Sequence, residues 1–167
     1  MSAAIPEELH EQLRAVAEAF ELPAPVARVE PLGNGNVNAT YRVHLRGGED
    51  GGTDGDTGGP AHGSLVLQQL NTSVFAEPRL VMANIAAVAE HVERRLTDGS
   101  PDPEERPWRM PAVVRRRQGG EPWLEQEGRF WRMLTFLEGT RSVEAIEGPE
   151  QAREIGAALG LFHALIH

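Results

Sequence analysis

Leu32-Gly33-Asn34-Gly35-Asn36-Val37-Asn38-Ala39-Thr40-Tyr41 is a glycine-rich turn that runs straight into a strand. Gly33 and Gly35 lack a Cβ, so the backbone there can take positive φ and bring its N–H groups close to a phosphate. On either side the chain reads as extended. Residues 27–32 form a first expected strand and 38–45 a second, with Tyr41, Val43 and Leu45 on one face by the two-residue period. The run Leu65-Val66-Leu67-Gln68-Gln69-Leu70-Asn71 reads as a third. Taken alone, the turn is equally well an ordinary hairpin with Asn and Gly at positive φ. The order of the elements downstream of Tyr41 separates the two readings.

Between Arg46 and Ser64 the chain is too rich in glycine and acid to bury anything, and it reads as a solvated hairpin tip. Its acids lack the alternate spacing and closing bidentate carboxylate of a calcium loop. Glu77-Pro78 then opens a helix in which Val81, Ile85, Val88, Val92 and Leu96 form a stripe. Two more strands are expected at 112–117 and 129–137, with a short Trp123-Leu124-Glu125 piece between them. At the amino end, Leu9, Leu13, Val16 and Phe20 define an amphipathic helix ending near Leu22-Pro23. At the other end, Ala152, Ile155, Leu159, Phe162 and Ile166 form a stripe on a helix over 149–167, and Ala158, Leu161 and Leu165 extend the apolar surface around most of it. The expected fold is therefore α+β, a five-stranded antiparallel sheet with one inserted helix, preceded and followed by a helix.

Composition narrows the function. The 167 residues are 40% hydrophobic and 25% charged, enough for a real core. A formal net charge of -9 argues against binding to a nucleic-acid backbone, which is driven by cationic side chains. There is no cysteine, which excludes thiolate metal sites and cysteine nucleophiles. There is also no lysine: all 16 basic residues are arginines. Residues 1–8 lack the basic start and apolar core of a signal peptide, and no run reaches bilayer-spanning length, so no membrane contact and a cytoplasmic location are expected. Of Arg115-Arg116-Arg117 on one strand, at least one must face opposite the others, and a solvated face is the simpler reading than an anion site. His163 reads as a packed or capped histidine, since no second ligand stands at metal-binding spacing. Trp108, Trp123 and Trp131 fit core and rim packing.

A run of pieces resembles the aminoglycoside-phosphotransferase-like small-molecule kinases, most closely the branch containing N-acetylhexosamine kinases. Gly33 to Tyr41 looks like that branch's glycine-rich turn and second strand, Val66 to Phe75 like its third strand and loop, and Pro78 to Ile85 like the start of its helix. Trp131-Arg132-Met133-Leu134-Thr135-Phe136-Leu137-Glu138-Gly139-Thr140 looks like the fifth strand and the hinge whose backbone receives adenine. Ile155 to His163 looks like the first helix of the larger lobe, so the likeness covers nearly all of this chain but only the first half of the family's length.

The resemblance implies a protein-kinase-like small lobe that binds ATP. Its nucleotide-binding residues would be Gly33, Asn34, Gly35, Asn36, Val37, Gln68, Thr135, Phe136 and Leu137. The implied organisation is an N-terminal helix over 1–24, a nucleotide-binding lobe over 25–140 with a flexible loop at 46–64, and at 141–167 the hinge exit and first helix of a truncated larger lobe. ATP would come with Mg²⁺, but the family's His-x-Asp catalytic loop and later acidic metal motif have no counterpart here, and no histidine of this chain is followed by x-Asp. No catalytic residue or metal ligand is therefore assigned. The complete enzyme would phosphorylate a small hydroxylated substrate such as an N-acetylhexosamine, with the missing part supplied by a further segment or a separate chain. The alternatives are a non-catalytic half-kinase that uses its last helix as an interaction module, and a truncated product. Gln68 stands where many kinases place a lysine; as a neutral amide it could contact phosphate, or it could be a half-buried polar residue at the sheet margin.

Overall fold

A computed structural model describes residues 5–33, 37–46, 63–99, 108–140, 143 and 145–167. Asn34, Gly35 and Asn36 of the turn, and nearly all of the 46–64 loop, lie outside the described residues. The elements are α1 (Glu7–Glu18), β1 (Val26–Pro31), β2 (Ala39–Leu45), β3 (Ser64–Leu70), α2 (Pro78–Thr97), β4 (Val113–Val114), β5 (Leu124–Gln126), β6 (Arg129–Thr135) and α3 (Pro149–Ile166). The strands form one open antiparallel sheet in the order β1-β2-β3-β6-β4, with β5 also paired to β6.

Six strands replace the expected five. The extra one is the short piece at Trp123, which becomes β5 because a two-residue turn returns it onto β6. Glu127 and Gly128 both take positive φ, 54° and 71°, the turn geometry whose twist suits a tight hairpin. The strand expected at 112–117 shortens to a two-residue ladder, because the chain beyond it pairs elsewhere. Phe20 and Arg116 form an isolated antiparallel bridge, flanked by bonds from Glu21 N–H to the Arg115 carbonyl (2.8 Å) and from Arg117 N–H to the Ala19 carbonyl (3.0 Å). For the same reason α1 ends at Glu18, short of Phe20.

The chain divides into two compact units, Met1–Ala83 with Pro111–Phe136, and Asn84–Met110 with Leu137–His167. In the first, α1 covers one face of the sheet. Leu13, Val16, Ala17 and Phe20 pack with Val26, Val29, Val43, Leu45, Leu65, Leu67, Leu124, Trp131 and Met133 in a single buried cluster. The alternation in β2 and β3 is what collects these residues on one side, as the two-residue period requires. The edge strand β1 is tied down by α1: Arg14 Nη2 donates to the Val26 carbonyl (2.8 Å), and the Val29 N–H donates to His10 Nε2 (3.2 Å). Occupying an edge N–H in this way removes a template for unwanted strand addition. Arg116 is half-buried while Arg115 and Arg117 are exposed, and it meets Glu121 at 3.3 Å, so the arginine run splits between faces as expected.

In the second unit, Trp108 stacks on Phe162 with ring centroids 6.0 Å apart, and Arg95 Nη2 donates to the Ala164 carbonyl at 3.2 Å. Leu165 is the buried residue of α3. The expected stripe is not the covered face: Ile155, Leu159 and Ile166 are 46%, 54% and 42% exposed. On α2 the fully buried residues are Met82 and Val92, while Val88 of the expected stripe is 38% exposed. Among the described residues no helix is long and apolar enough to cross a membrane.

Candidate functional site

The sheet face opposite α1 carries the polar side chains. Its organising feature is a rung of directly opposed residues across three strands, with Thr40 of β2 facing Gln68 of β3, and Gln68 facing Arg132 of β6. Arg132 Nε donates to Gln68 Oε1 (2.8 Å), and Gln68 Nε2 donates to Thr40 Oγ1 (3.0 Å). Thr40 Oγ1 in turn reaches the Asn38 carbonyl at 3.4 Å. Because arginine can only donate, it fixes which way the Gln68 amide points, and the chain of bonds runs in one direction toward the base of the glycine-rich turn. The Asn38 side chain closes that base by accepting the Asn71 N–H at 3.0 Å.

The turn itself begins with Gly33 at φ 69°, a conformation that strains any residue bearing a Cβ. The Leu32 N–H donates to the Thr40 carbonyl at 2.9 Å, which closes the hairpin around it. Val37, on its far side, is 46% exposed. At the other end of the sheet, the Thr135 N–H donates to the Ala112 carbonyl (2.9 Å) and the Phe136 N–H to the Ser64 carbonyl (3.3 Å). Thr135 Oγ1 also accepts the Ala112 N–H at 2.8 Å. The guanidinium of Arg42, whose Nε donates to Ser64 Oγ at 2.9 Å, lies 4.3 Å from the Phe136 ring centroid, so one face of that ring is covered by a cation. Leu137, where the chain re-enters the second unit, has its carbonyl bonded by Thr140 Oγ1 at 2.9 Å.

Sequence reasoning brought forward Gln68 and missed Arg132. The signal available was that polar residues interrupt two apolar strands, Gln68 and Gln69 within Leu65 to Leu70 and Arg132 within Phe130 to Leu134; half-buried polar groups of this kind need partners. A further pair on the same face is Glu30 and His44, with Oε1 and Nε2 2.8 Å apart and His44 buried. The hydrogen bond from His44 holds the Glu30 carboxyl below the usual glutamate range, helped by the charges of Arg28 and Arg42 and opposed by burial. A carboxyl lowered on folding stabilises the fold above its unfolded pKa, and that contribution disappears as pH falls through the folded value. Glu30→Gln is thus expected to lower stability at neutral pH and to match the parent once the pH is well below about 4.3. Thermal melts of both proteins across pH 2–7 would reveal a parallel pair of curves if the coupling were absent.

Cavities open among the described residues of the first unit. One of 330 Å³ opens between α1 and β5–β6, lined by Leu9, Gln12, Val16, Gln126 and Trp131 among others. Another of 270 Å³ sits at the turn end of the sheet, between Val37, Ala39, Gln69, Asn71, Gly128 and Arg129. Neither is lined by Gln68, Arg132 or Thr135. Among the described residues no three His, Asp or Glu side chains converge as metal ligands would. His163 is exposed, its ring beside Phe162. No protein-family model matches the chain.

Proposed function

We propose that this chain is the nucleotide-binding part of an ATP-dependent phosphotransferase acting on a small hydroxylated substrate, resembling the N-acetylhexosamine kinase branch. The observation that carries the reading is the order of elements on one antiparallel sheet. A hairpin with Gly33 at positive φ is followed by a third strand bearing Gln68, then α2, then a last long strand ending at Thr135. Phosphates would lie under the Gly33–Val37 turn, with Mg²⁺ accompanying ATP. Catalysis would need a His-x-Asp loop and a later acidic metal motif, and no histidine of this chain is followed by x-Asp. Calorimetric titration of the 167-residue chain with Mg-ATP is expected to give saturable binding without sugar-dependent turnover. Absence of any nucleotide heat would overturn the reading.

A second reading, an interaction module, is favoured by α3, whose exposed Ile155, Leu159 and Ile166 would be covered by a partner chain.

A further inference from the structure

We propose that Arg132 is an anion-binding residue that receives phosphate oxygens, and that Gln68 is a positioning residue that orients it. This rests on the nucleotide reading and names the cation that the polar sheet face offers to the phosphates in a chain without lysine.

Arg132 stands in the middle of β6, half-buried, with β3 on one side. Among the described residues its five N–H donors find one good acceptor, Gln68 Oε1 at 2.8 Å; a second contact, Nη1 to Met82 Sδ at 3.9 Å, is to a weak acceptor. No carboxylate pairs with it among the described residues, whereas Arg28, Arg79 and Arg116 each meet a glutamate. Burial without a counter-charge disfavours the charged form and lowers the affinity of this guanidinium for its proton. Arginine nevertheless stays protonated, so the fold carries a partly desolvated cation whose cost an anion would offset. A planar fork with Nε already tethered presents its remaining donors in the geometry that suits phosphate oxygens.

Location adds the second argument. Arg132, Gln68 and Thr40 are opposed residues on adjacent strands, and β2 leads back from Thr40 to the glycine-rich turn. The strand spacing puts the Cα atoms of Arg132 and Thr40 about 10 Å apart, within reach of one polyphosphate chain and one long side chain. Gln68 has its amide oxygen and one N–H engaged within the sheet. Its role is thereby to hold the guanidinium, and the direct contact falls to Arg132.

Calorimetry on the full chain with three probes, Mg-ATP, adenosine and inorganic tripolyphosphate, tests this against Arg132→Met, Arg132→Lys and Gln68→Glu. Arg132→Met is expected to weaken Mg-ATP roughly ten- to a hundredfold while leaving adenosine unchanged, the effect of removing one charge-assisted contact. Arg132→Lys should fall between, keeping charge but not the fork. Gln68→Glu retains the guanidinium but gives it a carboxylate, and is expected to weaken Mg-ATP as Arg132→Met does; melting curves of all variants verify folding. If Mg-ATP binds the parent and Arg132→Met alike, or if adenosine weakens in step with ATP, the assignment of Arg132 falls and the nucleotide reading stands. If the parent binds tripolyphosphate through Arg132 but gains nothing from the nucleoside, Arg132 stands and the nucleotide reading falls. No binding of any probe overturns both.

Discussion

Phe20→Ala is expected to lower the unfolding free energy by about 3–5 kcal/mol, the range for emptying a large aromatic site in a packed core. Phe20 is fully buried and sits in the cluster that joins α1 to the sheet. Its backbone is fixed on both sides: its N–H donates to the Ala17 carbonyl (3.0 Å), and its neighbours bond to Arg115 and Arg117. Because those bonds belong to the main chain, truncating the ring leaves them in place and removes only packing. The loss is therefore a cavity loss, with little freedom for the segment to collapse inward. Urea unfolding should move to a lower midpoint at an unchanged slope. A loss below about 1 kcal/mol would mean that the site relaxes, contrary to close packing around the ring.

The same residue marks where the sequence is legible and where it is not. Leu9, Leu13, Val16 and Phe20 recur at helical spacing, and nothing local distinguishes the last from the first three. What removes Phe20 from the helix is pairing with Arg116, a partner far along the chain. Strands with clean alternation, such as Tyr41, Val43 and Leu45, were legible because the period itself states which face is buried. The start of α2 at Pro78 was legible because proline is suited to a first turn. β5 was legible only as a short piece, since its partner depends on the turn at Glu127 and Gly128. In the candidate site, the glycine at positive φ could be read from composition, but the Arg132–Gln68 bond joins positions 64 apart and depends on sheet register. A register cannot be read from either strand separately, because the bond between the two polar residues exists only once the strands are aligned.

Leu165→Ala is expected to cost about 2–5 kcal/mol, whereas Leu159→Ala should change stability by no more than about 0.5 kcal/mol. The two leucines lie on one helix, and the hydrophobic period gave no reason to rank Leu165 above Leu159. Burial separates them: Leu165 is fully enclosed and Leu159 is 54% exposed. The physical reason is that α3 is apolar around most of its circumference, so its own residues favour no one face strongly, and neighbours choose the face. Here those neighbours include Arg95, bonded to the Ala164 carbonyl, and Trp108, stacked on Phe162, a contact close to Leu165 in sequence. Thermal melts of the two variants measure the difference, and equal losses would overturn the packing of this helix. Sedimentation velocity on the same pair adds the functional half. If α3 serves as an interface, Leu159→Ala weakens an assembly that the parent forms while leaving its melt unchanged; a parent that stays monomeric with and without added partner argues against that reading.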